Sequence, residues 1–147
     1  MMTVNMFDIF LVDLFEINSG SIQNGVRPCV VIQNDLGNKY SPTVIVIPIT
    51  KEIKKLEQPT HCLVHKSKEN GLKCHSMVLG EQVRVVDKSR LLERMGRIEN
   101  QKEQNDILNA YLANVTGKKK YDTVWSKVVN MFLKLIREGN LMNATCR

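Results

Sequence analysis

The chain has 147 residues, of which 43% are hydrophobic and 24% charged, as in an ordinary globular domain. This length predicts one domain with a sizeable core, and the lack of any run of roughly 20 apolar residues argues against a membrane-spanning helix. The formal net charge of +6 is weak evidence for a nucleic-acid groove, because residues 117–147 alone hold seven Lys or Arg against two acidic residues.

The cysteines and the N-terminus carry no signal for metal binding or export. Cys29, Cys62, Cys74 and Cys146 form no CxxC pair, so we expect neither a zinc site nor a redox motif. Cys29 lies in an apolar run and is interpreted as a small core residue. No basic region followed by a long apolar one opens the chain, so we expect no export signal. Reduced thiols in a cytoplasm are the simplest account of the cysteines. We also expect no membrane association and no cofactor.

The first predicted elements are a strand and a loop. Residues 8–14, DIFLVDL, are predicted to form the strand. Residues 18–25, NSGSIQNG, are turn formers, and Gly20 and Gly25 can adopt a positive φ there. Such a loop can turn backbone N–H groups toward an anion, although most loops of this composition only change the chain direction.

Residues 26–50 are predicted to form the hairpin around which the chain is organised. Two runs rich in Val and Ile, 29–32 and 43–49, flank the polar segment 34–42. Runs of this composition, bounded by Asn, Asp, Gly and Pro, are typical of two strands joined by a loop.

The two ends of this hairpin carry a pair of candidate functional residues. If the hairpin folds near Asn38, Arg27 and Thr50 are equidistant from the turn and become cross-strand neighbours, with Cβ atoms roughly 5 Å apart. A fixed cation beside a hydroxyl can hold a phosphate. The alternative is a solvated Arg at a strand edge and a Thr placed there by ordinary β-propensity.

The segment after the hairpin is predicted to add two strands. Residues 51–58 are expected to form a short basic helical connection, followed by a strand at 60–64 and a polar loop at 67–74. Residues 76–86 have the pattern of one long strand, in which Gly80 indicates a bulge or the close approach of another group. About five strands up to this point predict a small, partly open β-barrel.

Helices are predicted to follow the strands. Asp87 or Ser89 can cap a short helical turn over 90–95, and residues 101–115 have the periodicity of a helix packed on a core. Gly117 is expected to end that helix. Its apolar face comprises Ile107, Leu108, Tyr111, Leu112 and Val115.

The last segment, residues 117–147, is predicted to be a basic amphipathic extension of a domain that spans residues 1–116. After the lysines at 118–120, Asp122 or Thr123 can cap a second helix. We expect its apolar stripe to pack on the barrel or on a second subunit, although such helices also bind membranes or partners. The stripe comprises Val124, Trp125, Val128, Val129, Phe132, Leu135 and Ile136.

Three separated motifs resemble the MazF/PemK toxin family of bacterial toxin–antitoxin systems. They are GSIQNGVRPCVVIQNDLGNKYSPTVIVIPIT at 20–50, PTH at 59–61 and LGEQVRVVDKSRL at 79–91. The resemblance runs over residues 6–116 and does not cover 117–147. It implies a mainly β fold with C-terminal helices, namely the SH3-like small barrel of CcdB/PemK-like plasmid maintenance toxins.

The resemblance also implies a function and its partners. Members are homodimeric, metal-independent endoribonucleases that cut single-stranded RNA at short sequences. A cognate antitoxin inhibits them by laying an acidic, largely disordered tail over the RNA groove. Operator DNA is then expected as a partner only indirectly, through the antitoxin complex.

The family's catalytic Arg and Thr fall on Arg27 of GVRP and Thr50 of PIT, the pair that the hairpin argument already places together. Cleavage without a metal uses attack of the RNA 2′-hydroxyl on the adjacent phosphorus, which gives a 2′,3′-cyclic phosphate and a 5′-hydroxyl. The planar guanidinium of Arg27 suits the charge that develops on the phosphoryl oxygens.

Further positions in the family motifs imply candidates for proton transfer and for the RNA-binding groove. His61 and Glu81 have the chemistry to accept a proton near neutral or mildly acid pH, and a role in shaping the RNA groove is an equal alternative for each. The other positions implied to bind RNA or support the site are Ser21, Gln23 and Gln82.

Two positions depart from the family pattern. Ile22 stands where members commonly have an acidic residue that supports the active Arg, and Phe7 replaces a usual Gly. These changes leave two alternatives open: a catalytically impaired homologue that binds antitoxin or RNA, and a gyrase-directed toxin of the same fold. The GVRP and PIT motifs favour the nuclease.

Overall fold

The computed structural model describes residues 2–18 and 20–118, and in the tail residues 131–132, 134–135 and 138–139. None of the described helices is long and apolar enough to cross a membrane. Between residues 2 and 118 the described chain forms β1 (Asp8–Asp13), β2 (Val26–Val31), α1 (Asp35–Tyr40), β3 (Thr43–Thr50), β4 (His61–Val64), β5 (Ser76–Leu79), β6 (Arg84–Asp87), β7 (Leu91–Arg97) and α2 (Gln101–Thr116).

Strand β3 is the centre of an antiparallel sheet with the order β4-β5-β3-β2-β1-β7. One edge of β3 pairs with β2. The opposite edge pairs with β6 along residues 43–46 and with β5 at residues 49–50. Strand β7 pairs with β1, and a 3₁₀ turn at Lys88–Arg90 connects it to β6. Strands β1, β2, β3, β6 and β7 therefore surround a common interior.

Alternate side chains of these strands enter two separate cores, as the period of a strand requires. We call the residues inside the five strands the inner cluster; they are Val4, Phe10, Val12, Leu14, Cys29, Val31, Val44, Val46, Val86 and Leu91. The helix-side cluster lies between the other sheet face, β4, β5 and α2; it comprises Phe7, Ile9, Val30, Ile32, Ile47, Ile49, Cys62, Val64, Leu72, Val78, Ile98, Ile107 and Ala110.

The first strand, both strands of the hairpin and the helix predicted at 101–115 are confirmed. The side chain of Asn100 caps α2 by accepting from the N–H of Glu103 at 3.1 Å. Gly117 ends the helix in the left-handed conformation at φ 65°, which glycine adopts at low cost. The predicted helix capped at Asp122 or Thr123 lies outside the described residues.

The single long strand predicted at 76–86 is wrong. The chain leaves the sheet at a 3₁₀ turn, Gly80–Gln82, between β5 and β6. Val78 lies opposite Ile49, whereas Arg84 lies opposite Val46, so three residues are extruded from one otherwise collinear edge. The expected close approach at Gly80 is confirmed, because a Cβ there would lie 2.7 Å from the carbonyl oxygens of Ala110 and Thr60.

Three other local predictions are also wrong. The polar segment 34–42 contains α1, because the side chain of Asn34 caps it by accepting from Gly37 N. Residues 51–58 are not helical, since Lys55 has a φ of 50° and interrupts any helix there. Asp87 caps only the 3₁₀ turn, and residues 91–97 pair with β1 as a strand, so tertiary pairing overrides the local preference.

Phe7 has a φ of 70°, in the left-handed region that glycine adopts more readily. Its N–H donates to Val31 O at 2.7 Å, and its carbonyl accepts from Ile98 N at 3.0 Å. The ring is buried in the helix-side cluster. Ring burial and these bonds offset the backbone strain at a position whose conformation suits glycine.

Candidate functional site

Arg27 and Thr50 lie at the open end of the β2–β3 ribbon. The register places Cys29 opposite Pro48, which is the last formed pair, and Val31 opposite Val46. The same register, continued by two residues beyond that pair, sets Arg27 against Thr50. This is the register that the equidistance argument predicts. Both side chains lie on the face that carries the inner cluster, so the pair is at the mouth of the barrel.

The polar atoms of this pair are oriented by the neighbouring backbone. The Nε of exposed Arg27 donates to the carbonyl of Asn24 at 3.0 Å. Among the described residues, no hydrogen bond or ion pair engages the two Nη atoms of Arg27. The Thr50 hydroxyl accepts from the N–H of Glu52 at 3.1 Å, which leaves its proton to donate. The pair thus presents three donor groups to an anion.

His61 and Glu81 form a second group, on β4 and on the 3₁₀ turn. His61 is 6% exposed, and its Nδ1 lies 2.9 Å from the carbonyl of Lys55. Its Nε2 lies 2.9 Å from a carboxylate oxygen of Glu81. Because a carbonyl only accepts, Nδ1 carries a proton, and both ring nitrogens are engaged. Glu81, with 39% of its side chain exposed, is the member of this pair that faces solvent.

Ser21, Gln23 and Gln82 form a third group. The Gln82 side-chain carbonyl accepts from the N–H of Gln23 at 2.6 Å. Its amide nitrogen lies 3.5 Å from the carbonyl of Ser21. Gln82 thus fastens the loop between β1 and β2 to the 3₁₀ turn, and the turn links this group to the adjacent Glu81.

Arg84 is a residue of this region that sequence reasoning missed. Its Nη2 donates to the carbonyl of Gln23 at 3.0 Å, and its Nη1 lies 3.5 Å from a carboxylate oxygen of Glu16. Burial raises the pKa of the Cys29 thiol to about 12, and the charge of Arg84 partly offsets this rise. Arg84 therefore lies between the inner cluster and the loop. The available signal was a charged residue at an inward position of an apolar strand.

The other candidate ligands lie apart from these groups. His65 and His75 are exposed, and their rings contact each other at 5.2 Å between centroids. His65 Nδ1 lies 2.8 Å from a carboxylate oxygen of Glu103 on α2. Within the described residues, no group of three or more His, Cys, Asp or Glu side chains could hold a metal ion.

Residues 5–115 match the family described as PemK-like, MazF-like toxin of type II toxin-antitoxin system. A curated protein of Staphylococcus saprophyticus, "Endoribonuclease MazF", is 50% identical over 103 residues, which cover 70% of this chain and 83% of that protein.

Solved structures share the fold at low sequence identity. MazF from Deinococcus radiodurans superposes with a TM-score of 0.64 at 17% identity, over 78% of this chain and 98% of that one. A mycobacterial endoribonuclease, solved in complex with its cognate antitoxin, gives a TM-score of 0.59 at 18% identity, over 78% and 95% of the two chains. The mainly β fold with a C-terminal helix is thus that of the MazF toxins.

Proposed function

The chain belongs to the PemK-like, MazF-like toxins of type II toxin–antitoxin systems, and we propose that it is an endoribonuclease that cuts single-stranded RNA at short sequences without a metal ion. The observation that carries this proposal is the β2–β3 register, which brings Arg27 and Thr50 to one end of a rigid ribbon. A cation and an alcohol at that place fit a phosphodiester. The staphylococcal relative that is 50% identical to this chain is named as an endoribonuclease.

The reaction uses the substrate's own nucleophile. The 2′-hydroxyl loses its proton and attacks the adjacent phosphorus, while the 5′-oxygen leaves on the opposite side. The products are a 2′,3′-cyclic phosphate and a 5′-hydroxyl. DNA lacks the 2′-hydroxyl and is therefore not cut.

Arg27 supplies the charge that this step needs. Its two Nη groups contact the nonbridging phosphoryl oxygens, on which negative charge develops. The Asn24 carbonyl holds Nε, so the guanidinium plane is set before the substrate binds. Thr50 donates its hydroxyl proton to the phosphate or orients the 2′-hydroxyl.

Glu81 is the better candidate for the proton acceptor. It is partly exposed and carries a carboxylate, whereas both nitrogens of buried His61 are engaged. His61 then orients Glu81 and shapes the groove. Ser21, Gln23 and Gln82 line the RNA path beside the loop.

The partners follow from the same surface. We propose a cytoplasmic homodimer whose activity a cognate antitoxin blocks. The mycobacterial endoribonuclease that shares this fold was solved in complex with its cognate antitoxin. An acidic antitoxin segment would compete with RNA for Arg27. Operator DNA is reached only through the antitoxin complex.

The test is cleavage of a mixed-sequence RNA by the purified full chain in EDTA. We expect discrete cuts with 5′-hydroxyl ends, and a loss of roughly 100- to 1,000-fold in rate for Arg27→Ala. Thr50→Val should lose less, because it removes a neutral donor. The matched control Arg94→Met replaces an Arg on β7 outside the three groups and should retain the cuts.

Two outcomes would refute the proposal. Intact RNA at high protein concentration would exclude the nuclease, as would cuts that persist in Arg27→Ala. A supercoiling assay identifies the gyrase-directed alternative, since inhibition without RNA loss would favour it.

A further inference from the structure

We infer that Arg84 is a positioning residue, which fixes the backbone at residues 23–24 and thereby orients both Gln23 and the guanidinium of Arg27. This inference rests on the proposed nuclease function, because it names what holds the cleaving group in place. It concerns a residue of β6 that makes no contact with the substrate itself.

The first step is a two-point clamp on one residue of the loop. The N–H of Gln23 donates to Gln82 at 2.6 Å, and its carbonyl accepts from Arg84 at 3.0 Å. Both groups of the clamp come from the segment 82–84, which β6 ties to the sheet. Both backbone polar groups of Gln23 are thus fixed, and its side chain leaves from a defined position.

The second step leads from the clamp to Arg27. The carbonyl held by Arg84 belongs to the planar peptide that joins Gln23 to Asn24. The next carbonyl, that of Asn24, accepts from Arg27 Nε at 3.0 Å. Only the two dihedral angles of Asn24 separate these carbonyls. The Asn24 side chain restrains them, because its oxygen accepts from Gly25 N at 2.9 Å.

This backbone contact stands where an acidic side chain is expected. The sequence has Ile22 at the position at which an acidic residue commonly supports the active Arg, and Ile22 is 42% exposed. The Asn24 carbonyl supplies an acceptor for the guanidinium instead. Its usefulness depends on a fixed loop, and Arg84 fixes it together with Gln82 and the Asn24 side chain, which also bonds to the backbone of Glu16.

The burial of Arg84 explains why an arginine suits this position. Its side chain is 15% exposed, and the charged group lies above the inner cluster. A planar guanidinium presents two nitrogens at a fixed spacing. Nη2 donates to Gln23, and buried Nη1, which has no hydrogen-bond partner among the described residues, lies 3.5 Å from a carboxylate oxygen of Glu16. Lysine offers one compact ammonium, which can donate to the Gln23 carbonyl but cannot span both partners.

Two other roles are compatible with the same burial, and they predict different kinetics. Arg84 would have a purely structural role if it only covered the end of the barrel, and its loss would then lower stability alone. Arg84 would act as a distant charge if it only attracted RNA, and its loss would then raise KM at an unchanged kcat. Positioning predicts a lower kcat and an altered choice of cut site.

The experiment compares Arg84→Met, Arg84→Lys and Glu16→Gln in the full chain. For each we would measure kcat and KM on one short RNA, the cut sites on a long transcript, and Tm. Arg84→Met should lose roughly 10- to 100-fold in kcat, since a small misplacement of a catalytic group has an effect of that size. Its cut sites should broaden, and KM should change less than kcat.

The other variants separate geometry from charge and stability. Arg84→Lys should recover part of the lost kcat. Glu16→Gln should remain within about twofold of wild type, because Glu16 is half exposed and lies 3.5 Å from Nη1 without a hydrogen bond. Arg94→Met is the matched stability control: it removes a 2.8 Å ion pair to buried Asp8. It should lower Tm and leave kcat and the cut sites unchanged.

The inference is overturned if Arg84→Met lowers only Tm, as the control does, or changes only KM. If wild-type protein fails to cut RNA, the proposed function fails, and amide exchange then tests the clamp separately. Without Arg84, the Gln23 and Asn24 amides should exchange roughly tenfold faster than in wild type, in line with a lost charged hydrogen bond. Unchanged exchange would refute the clamp as well.

Discussion

Two loops that connect strands of the sheet differ in how closely their glycines are packed. The β1–β2 loop, residues 14–25, and the β4–β5 loop, residues 65–75, both contain glycine at positive φ. In the β4–β5 loop a Cβ on Gly71 would lie 2.3 Å from the carbonyl of Met95. In the β1–β2 loop nothing lies within 4 Å of the corresponding position on Gly20 or Gly25.

The difference extends to what holds each loop. Asn70, 2% exposed, bonds within the β4–β5 loop to Ser67 N, Leu72 N and His65 O. The β1–β2 loop has a similar internal tie, because the Asn24 side chain bonds to Glu16 N, Glu16 O and Gly25 N. It is in addition held from outside by the side chains of Gln82 and Arg84. The β4–β5 loop buries Asn70 and Leu72 but exposes most of its other residues, whereas the described residues of the β1–β2 loop after Leu14 are all exposed or half-buried.

The largest expected difference between the two loop regions is in the alkylation rates of their cysteines, Cys29 and Cys74. Cys29 lies under the base of the β1–β2 loop, and burial raises its thiol pKa to about 12. Its thiolate at pH 8 is then scarcer by roughly three orders of magnitude than for an ordinary cysteine. Exposed Cys74 in the β4–β5 loop should be alkylated at least a thousandfold faster. Residue-resolved mass spectrometry after iodoacetamide treatment measures both rates, and comparable rates would contradict the burial of Cys29.

Alanine substitution of the two glycines should separate the loops by stability. Gly71→Ala combines a left-handed backbone with a clash against a fixed carbonyl, and we expect it to lower the free energy of unfolding by about 3 kcal/mol or more. Gly20→Ala has only the backbone term, about 1 kcal/mol. Urea unfolding compares them, and equal losses would remove the proposed difference between the loops.

Alanine substitution of Asn70 should lower stability more than substitution of Asn24, whereas substitution of Asn24 should lower RNA cleavage more. Asn70→Ala leaves buried backbone groups unpaired and should lower the free energy of unfolding by about 2 to 3 kcal/mol. Asn24→Ala should have less than half of that effect, since its side chain is partly exposed, and should reduce RNA cleavage more than Asn70→Ala does. Unfolding and initial rates on one RNA decide this. Asn105→Ala, an exposed position on α2, is the control for both.

The smallest expected effect is that of Ile22→Glu. Arg27 already has a backbone acceptor in Asn24, and an exposed carboxylate adds less than about 1 kcal/mol. Initial cleavage rates should therefore rise by less than about fivefold. A hundredfold gain would instead support the alternative of a catalytically impaired homologue.

The hairpin geometry was predictable because it depends on chain symmetry alone. Equal distances from the turn placed Arg27 opposite Thr50, and this register holds although the connection contains α1 instead of a simple loop. The catalytic role of the pair stays a prediction. The ends of α2 were predictable for a similar reason, since Gly117 is a local signal.

Elements fixed by distant pairing were not predictable from local pattern. Strand β7 has exposed residues at three consecutive positions, 92–94, so no alternation reveals it, and only its pairing with β1 makes it a strand. Arg84 was missed because a charge in a strand is normally assigned to the solvent face. Its inward position follows from pairing with Val46, a residue of the inner cluster.

The turn Gly80–Gln82 is extruded from an edge that stays paired with β3 on both sides. Its length therefore does not set the alignment of the sheet, and a Cβ at Gly80 has no room there. Glu81 and Gln82 instead contact His61 and the backbone of Gln23. A substitution in this turn should therefore disturb the loop between β1 and β2 and the His61 contact, while both cores keep their packing.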